Sequence, residues 1–224
     1  MAADPVSQHR NCAFCHTPSE SIAARHVCPV CGSPQPLGPG EDYFSTFEVP
    51  RSFALDRGLL EKRFYEISRA LHPDRFTTAD PVRRKYSLER MSFLNEAYRT
   101  LKDPAALREY LLEREGVLKP DAGSEKAARG RIPLELTESW FDLQDALSED
   151  PALARGKLVE FEAELGGMLR DVDRKIRELE RSADEARGDG RHGILEGIVK
   201  ETQTQSYLVS LSRDVERIKT RLAS

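Results

Sequence analysis

Apolar residues recur at spacings of three and four along most of the chain, and no extended apolar–polar alternation appears, so the pattern reads as helices rather than sheet. Leu60, Phe64, Ile67 and Leu71 form one such stripe, a helix from about Asp56 to Leu71 that Pro73 stops. A second helix begins near Pro81 with Asp80 as its cap. It turns Tyr86, Met91, Leu94, Ala97, Tyr98 and Leu101 toward the first, so the two make an antiparallel hairpin. Leu136, Trp140, Leu143 and Leu147 predict a helix over about 133–148. Asp150 and Pro151 open the next, whose stripe of Leu158, Phe161, Leu165, Met168, Val172, Ile176 and Leu179 runs on until Gly188-Asp189-Gly190. Gly166 and Gly167 inside it predict a kink or a close helix contact. The last helix carries Leu208, Leu211, Val215, Ile218 and Leu222, with Ile194 and Ile198 as earlier members. Short connections make these neighbours antiparallel, a three-helix bundle.

Proline and glycine divide the chain at 33–40 and again at 119–131, leaving segments 1–37, 41–118 and 131–224. The expected fold is all-α: a helical hairpin, a C-terminal three-helix bundle and a small N-terminal module. Of the 224 residues 39% are hydrophobic and 32% charged, which suits narrow buried stripes beneath a large wetted surface. No apolar run approaches the roughly 18 residues of a membrane helix, which excludes a helical membrane span. A net charge of −4 counts against a protein that coats nucleic acid. The opening residues show neither a basic stretch followed by an apolar one nor an Arg- and Ser-rich amphipathic segment, so a cytoplasmic address is expected.

Cys12-x2-Cys15 and Cys28-x2-Cys31 change the picture of the N-terminal module. Two close pairs on two turns can bring four thiolates to the corners of a tetrahedron, the donor set of a closed structural zinc site holding one ion. Catalytic dithiol chemistry is the alternative, without a strand-rich context to favour it. Pro29 stiffens the second turn and Gly32 can supply a positive φ, whereas His16 and His26 read as bystanders. Phe14, Ile22, Val27 and Val30 are too few to make a core, so the metal would supply much of the module's stability.

His72-Pro73-Asp74 sits where the hairpin turns, and proline holds an imidazole and a carboxylate outside it. Read alone, the tripeptide is an acid–base pair or an ordinary helix end. Together with Tyr43-Phe44, the stripe ending at His72, and Asn95-Glu96-Ala97-Tyr98-x2-Leu101-x-Asp103-Pro104, it resembles a J domain. The run Tyr110-Leu111-Leu112, the four-cysteine module in front and the helical tail behind extend that resemblance to the HscB-type co-chaperones of iron–sulfur cluster assembly, in the subgroup with an N-terminal cysteine ribbon.

The resemblance implies that His72, Pro73 and Asp74 dock on a DnaK-type heat-shock chaperone and promote its ATP hydrolysis, the chain itself performing no chemistry. Lys62, Arg63 and Arg69 of the first helix, with Arg75 beyond it, offer a basic face for an acidic partner surface; Glu61 and Glu66 interrupt it and Glu66 stands i,i+4 from Lys62, the alternative being an ordinary solvated face. Tyr65 and Glu66 stand where many J domains carry basic residues.

The first tail helix has a second stripe, Leu134, Glu138, Phe141 and Asp145, offset about 200° from its buried row. Apolar anchors flanked by carboxylates suit a small binding patch, the alternative being that Leu134 or Phe141 packs within the chain. The resemblance implies that this helix, with Tyr207 of the last one, binds an IscU-type iron–sulfur scaffold protein. Thr137 replaces a common apolar residue there and Phe141 a common acidic one. A general J-domain co-chaperone whose tail captures another client is the alternative reading. A nucleic-acid-binding zinc ribbon and a redox enzyme are the readings from other classes.

Overall fold

A computed structural model of the chain describes residues 10–19, 26–118 and 134–223. The chain divides into two compact units, Met1–Tyr110 and Leu111–Ser224.

The first unit begins with a two-stranded antiparallel ribbon, β1 (Arg10–Asn11) against β2 (Pro18–Ser19). A short helix α1 (Tyr43–Phe47) comes next, its start fixed by a capping box in which the Asp42 carboxylate accepts from the Ser45 amide and Ser45 Oγ from the Asp42 amide. Helix α2 (Arg57–Leu71) starts at Asp56, a short 3-10 turn covers Pro73–Phe76, and α3 (Pro81–Lys102) starts at Asp80, whose carboxylate accepts from the amides of Val82 and Arg83. Helices α2 and α3 pack together as the expected hairpin, and α1 packs across both. Phe44, Phe47, Leu60, Leu71, Leu94 and Leu101 are fully buried between them, and Phe64 stacks on Tyr98 with ring centroids 4.2 Å apart. Burying each such side chain is worth about 1.5–3 kcal/mol. Helix α4 (Pro104–Arg114) continues directly, and its Tyr110 stacks on Tyr43 at 4.3 Å while accepting the Tyr43 amide at the phenol oxygen.

The buried row of α3 is Ser87, Arg90, Leu94, Ala97 and Leu101, spaced three, four, three and four. Tyr86, Met91 and Tyr98, expected in that row, flank it half-buried. Two polar residues thus occupy helix positions that the period reserves for the interior.

The second unit is an antiparallel three-helix bundle: α5 (Leu134–Glu149), α6 (Pro151–Glu185) and α7 (Asp189–Ala223), with α6 packed against both neighbours. Leu136, Leu143, Leu158, Phe161, Leu165, Val172, Ile176, Leu208, Leu211 and Val215 form one core, as their spacing anticipates. Two details differ from expectation. Leu195, not Ile194, is the buried member at the start of α7, together with Ile198. Of the kink or close contact expected at Gly166 and Gly167, the contact is not there: among the described residues an added Cβ would meet only the Arg170 guanidinium, and the close approach is at Gly197, where a Cβ would lie 3.6 Å from Leu179. Gly188 ends the α6–α7 turn region at φ 68°, which a glycine adopts without strain. Among the described residues no helix is long and apolar enough to cross a membrane.

Candidate functional site

The four cysteines converge, with their sulfurs all within 4.8 Å of one another. The Cys12–Cys31 and Cys15–Cys28 sulfur pairs are 3.5 and 3.7 Å apart, close to the roughly 3.8 Å edge of a tetrahedron with metal–sulfur bonds of about 2.3 Å. Each pair sits on a turn of the same construction. The His16 amide donates to the Cys12 carbonyl at 3.0 Å and the Gly32 amide to the Cys28 carbonyl at 2.9 Å; the Cys12 amide donates to Thr17 and the Cys28 amide to Ser33 in the same register. His16 and Gly32 both take positive φ, 57° and 66°. The turn geometry therefore repeats although only one copy has glycine.

Amides aim at sulfur as a thiolate site requires. Burial alone would raise the Cys12 thiol, but the amides of Cys15 and Phe14 outweigh it and bring it down to about 6. Cys28, with burial dominant, is pushed up to about 11, and the Thr17 hydroxyl and amide lower Cys15. The donor set is that of a metal site, and the residues fit a bound ion. His16 and His26 stay outside the group, as expected.

The module does not stand apart from the hairpin. Of the module's few apolar residues, Val30 is largely exposed and Ile22 lies outside the described residues. Instead the module packs on α3: Phe14 meets Tyr86 edge-on at 5.9 Å, Arg83 lies 4.3 Å over the Phe14 ring, and Arg83 Nε donates to Ser33 Oγ at 2.8 Å. Residues 33–40, rich in proline and glycine, form a packed strap there, because buried Arg90 donates to the carbonyls of Gln35 and Pro36 and pairs with Glu41. Arg90 Nη1 also lies 3.1 Å from Nδ1 of buried His26. Gln35 completes the link, its side-chain amide donating to Cys12 Sγ at 3.4 Å while its oxygen accepts the Ala13 amide. Sequence reasoning missed Arg83, Arg90, Gln35 and the role of His26; the one available signal was a charged residue in the apolar register of α3.

The His72 loop projects from the hairpin. His72 ends α2 with its side chain 54% exposed, Asp74 is 84% exposed, and His72 Nδ1 accepts the Asp74 amide at 3.4 Å with the Asp74 carboxylate 3.5 Å away. Phe76, buried, anchors the far end of the turn. Pro73 has no N–H for the Arg69 carbonyl, and Arg75 Nη1 reaches that carbonyl at 3.4 Å instead. Of the basic face, Lys62 and Arg69 are exposed, whereas Arg63 is held between Glu48 and Glu66 at 3.7 and 3.6 Å. Glu66 thus pairs with Arg63 rather than with Lys62, and it shares the exposed side of α2 with Tyr65.

On α5, Glu138, Phe141 and Asp145 are all exposed, opposite buried Leu136 and Leu143; Phe141 is 62% exposed. Leu134 begins the helix, but its side chain lies outside the described residues. Tyr207 on α7 packs half-buried against the bundle core. The structure therefore gathers the acidic and aromatic members on one outer face and gives Tyr207 a part in packing.

No family model matches the chain. Individual relatives do. The mouse iron-sulfur cluster co-chaperone protein HscB is 30% identical over 174 residues, 75% of this chain and 74% of the mouse protein. A co-chaperone protein HscB homolog of Bordetella petrii is 32% identical over 139 residues, 62% of this chain and 75% of its own length. Among solved structures, chaperone HscB from Vibrio cholerae has a TM-score of 0.57 at 26% identity, covering 81% of this chain and 99% of that one. The human co-chaperone protein HscB, at 22% identity, shares the fold, with a TM-score of 0.61 over 94% of this chain and 98% of the human one.

Proposed function

The chain belongs to the HscB family of iron–sulfur cluster co-chaperones, and from that membership we propose that it stimulates ATP hydrolysis by a DnaK-type heat-shock chaperone and brings to it an IscU-type scaffold protein. The observation that carries the reading is the His72-Pro73-Asp74 loop at the end of the hairpin, whose imidazole and carboxylate are both largely exposed. Lys62, Arg69 and Arg75 surround it with positive charge that steers an acidic chaperone surface, and Arg63 joins them by exchanging its Glu48 and Glu66 partners. The chain acts as an adaptor through two binding surfaces and performs no bond chemistry of its own.

The second surface is the outer face of α5. Phe141 is the apolar anchor, Glu138 and Asp145 the charged rim, with Leu134 extending the row and Tyr207 contributing from α7. In this reading segment 41–118 is the J domain, segment 131–224 holds the scaffold and segment 1–37 holds metal. Cys12, Cys15, Cys28 and Cys31 would hold one structural zinc ion, whose chemistry is that of a cross-link between the two turns. Four reduced thiolates suit a reducing compartment, the cytoplasm.

The test measures chaperone ATP hydrolysis with wild-type protein and His72→Gln, each with and without the scaffold. Stimulation that needs His72 and rises with scaffold supports the reading. Stimulation indifferent to scaffold reassigns the bundle to another client.

A further inference from the structure

One helix face touches both the cysteine module and the residue that precedes the His72 loop. Arg83, Ser87 and Arg90 are spaced four and three on α3, so they lie within about 60° of one another around the helix and within about 10 Å along it. Arg83 and Arg90 hold the cysteine module, through Ser33 and through Gln35, Pro36, His26 and Glu41. Ser87, fully buried, donates its hydroxyl to the Leu71 carbonyl at 2.7 Å.

That carbonyl stands at the last residue of α2, and the amides just beyond it are spent elsewhere: Pro73 has none, Asp74 donates to the His72 ring, and Arg75 donates to the His72 carbonyl at 2.9 Å. A buried carbonyl at a helix end needs a donor, and here Ser87 supplies it from a neighbouring helix. The residue before His72 is thus anchored to α3, about one turn from Arg90. At the other end, Gln35 bonds Cys12 sulfur with its side chain and gives its backbone carbonyl to Arg90. Polar contacts thus run from a candidate metal ligand to Arg90 and from Ser87 to the base of the loop, and one turn of α3 joins the two sets.

We propose that Arg90 and Ser87 are positioning residues through which metal held by the four cysteines orders the His72-Pro73-Asp74 loop. The functional consequence rests on the reading of that loop as the chaperone-docking element; the coupling itself does not. The Cys12 turn, pinned by metal, holds Gln35; Gln35 and Pro36 fix the Arg90 guanidinium; Arg90 fixes the first half of α3; and Ser87 then meets the Leu71 carbonyl in register. Without metal the strap loosens first, and the disorder passes along α3 to the loop.

Hydrogen exchange on the full chain, without chaperone, reads this directly and separately from any failure of chaperone docking. Zinc-loaded protein is compared with protein stripped by chelator under reducing conditions, with the α6 and α7 amides as internal reference. Expected on stripping is exchange faster by about tenfold at the Asp74 and Arg75 amides as well as through 83–90, with the bundle unchanged. Loss of protection confined to the cysteine module overturns the proposal. Metal-loaded Ser87→Ala and Arg90→Gln, their sites verified by the thiolate absorption of substituted cobalt, should show the faster loop exchange already, and stripping should accelerate it little further. That non-additivity is what a merely stabilising residue would not produce. If stripping unfolds the whole first unit, the loaded variants decide: faster exchange at Asp74 and Arg75 with an intact cobalt spectrum supports the coupling, and wild-type exchange there overturns it.

Discussion

Arg90 and Glu41 form a buried ion pair, Nη1 to Oε1 at 2.9 Å, with side chains only 2% and 5% exposed. Both charges are fully engaged, since Arg90 also serves two carbonyls and Glu41 accepts the Gly38 amide. Removing one partner of such a pair strands the other, at a cost of about 3–5 kcal/mol. Arg90→Met should therefore lower the stability of the first unit by that order while leaving the bundle's transition in place. Denaturant unfolding followed by circular dichroism, with Trp140 fluorescence reporting the bundle alone, separates the two.

Acid should act through the same pair. Burial opposes ionisation of Glu41, but the Arg90 charge and hydrogen bond outweigh it and hold the carboxyl below its ordinary 4.5; at Asp42, burial is outweighed by Ser45 and Arg51, and the carboxyl lies below 3.8. Carboxyls depressed in the folded state contribute stability that is complete above their ordinary values and is lost as pH falls through the folded ones. The first unit's unfolding midpoint should fall as pH drops below the ordinary carboxylate range, and the fall should be shallower in Glu41→Gln. Parallel pH profiles for the two proteins would contradict this.

The cysteine site should bind one metal ion per chain, and Cys12→Ala or Cys28→Ser should abolish it. Both residues are buried at the centre of the paired turns. Metal analysis of freshly reduced protein gives the stoichiometry, and cobalt substitution should give a tetrahedral thiolate spectrum.

Phe141→Ala and Glu138→Ala should each weaken scaffold binding by about tenfold or more, as truncation of an anchor residue does. Because both side chains are exposed, stability should move by no more than about 0.5 kcal/mol. Calorimetric titration with the scaffold, paired with thermal unfolding, tests both halves of the expectation; unchanged affinity in both variants would remove α5 from the interface.

Gly166→Ala and Gly167→Ala should stabilise the bundle by up to about 1 kcal/mol each, since both glycines lie within α6 and a Cβ there meets only the flexible Arg170 side chain. A rise in the bundle's thermal midpoint is the readout.

What the sequence disclosed was local. The cysteine pairs announce their chemistry by spacing, and both α3 and α6 start at the Asp-Pro signals expected of them. The His72 loop was legible because a proline ends a stripe beside it, and the Phe141 face because a two-residue offset turns it away from the core. Arg90 was not legible because its acceptors include the Gln35 and Pro36 carbonyls, and a backbone carbonyl leaves no mark on the sequence 55 or 54 positions away. Ser87 escaped for the same reason, its acceptor being the Leu71 carbonyl. Of the kink or close contact that Gly166-Gly167 signalled, the contact is not found among the described residues, since composition alone does not distinguish a helix that needs glycine from one that tolerates it. Leu195 replaced Ile194 in the core because adjacent apolar residues at a helix start leave the phase open by about 100°.

If the exposed His72 loop drives a chaperone while the bundle presents a scaffold to it, single-turnover ATP hydrolysis by a DnaK-type chaperone reads both at once. Wild-type protein should accelerate hydrolysis, an IscU-type scaffold should amplify the effect, and His72→Gln should abolish it with the fold intact. Equal acceleration by wild type and His72→Gln, or none by either, would contradict the account.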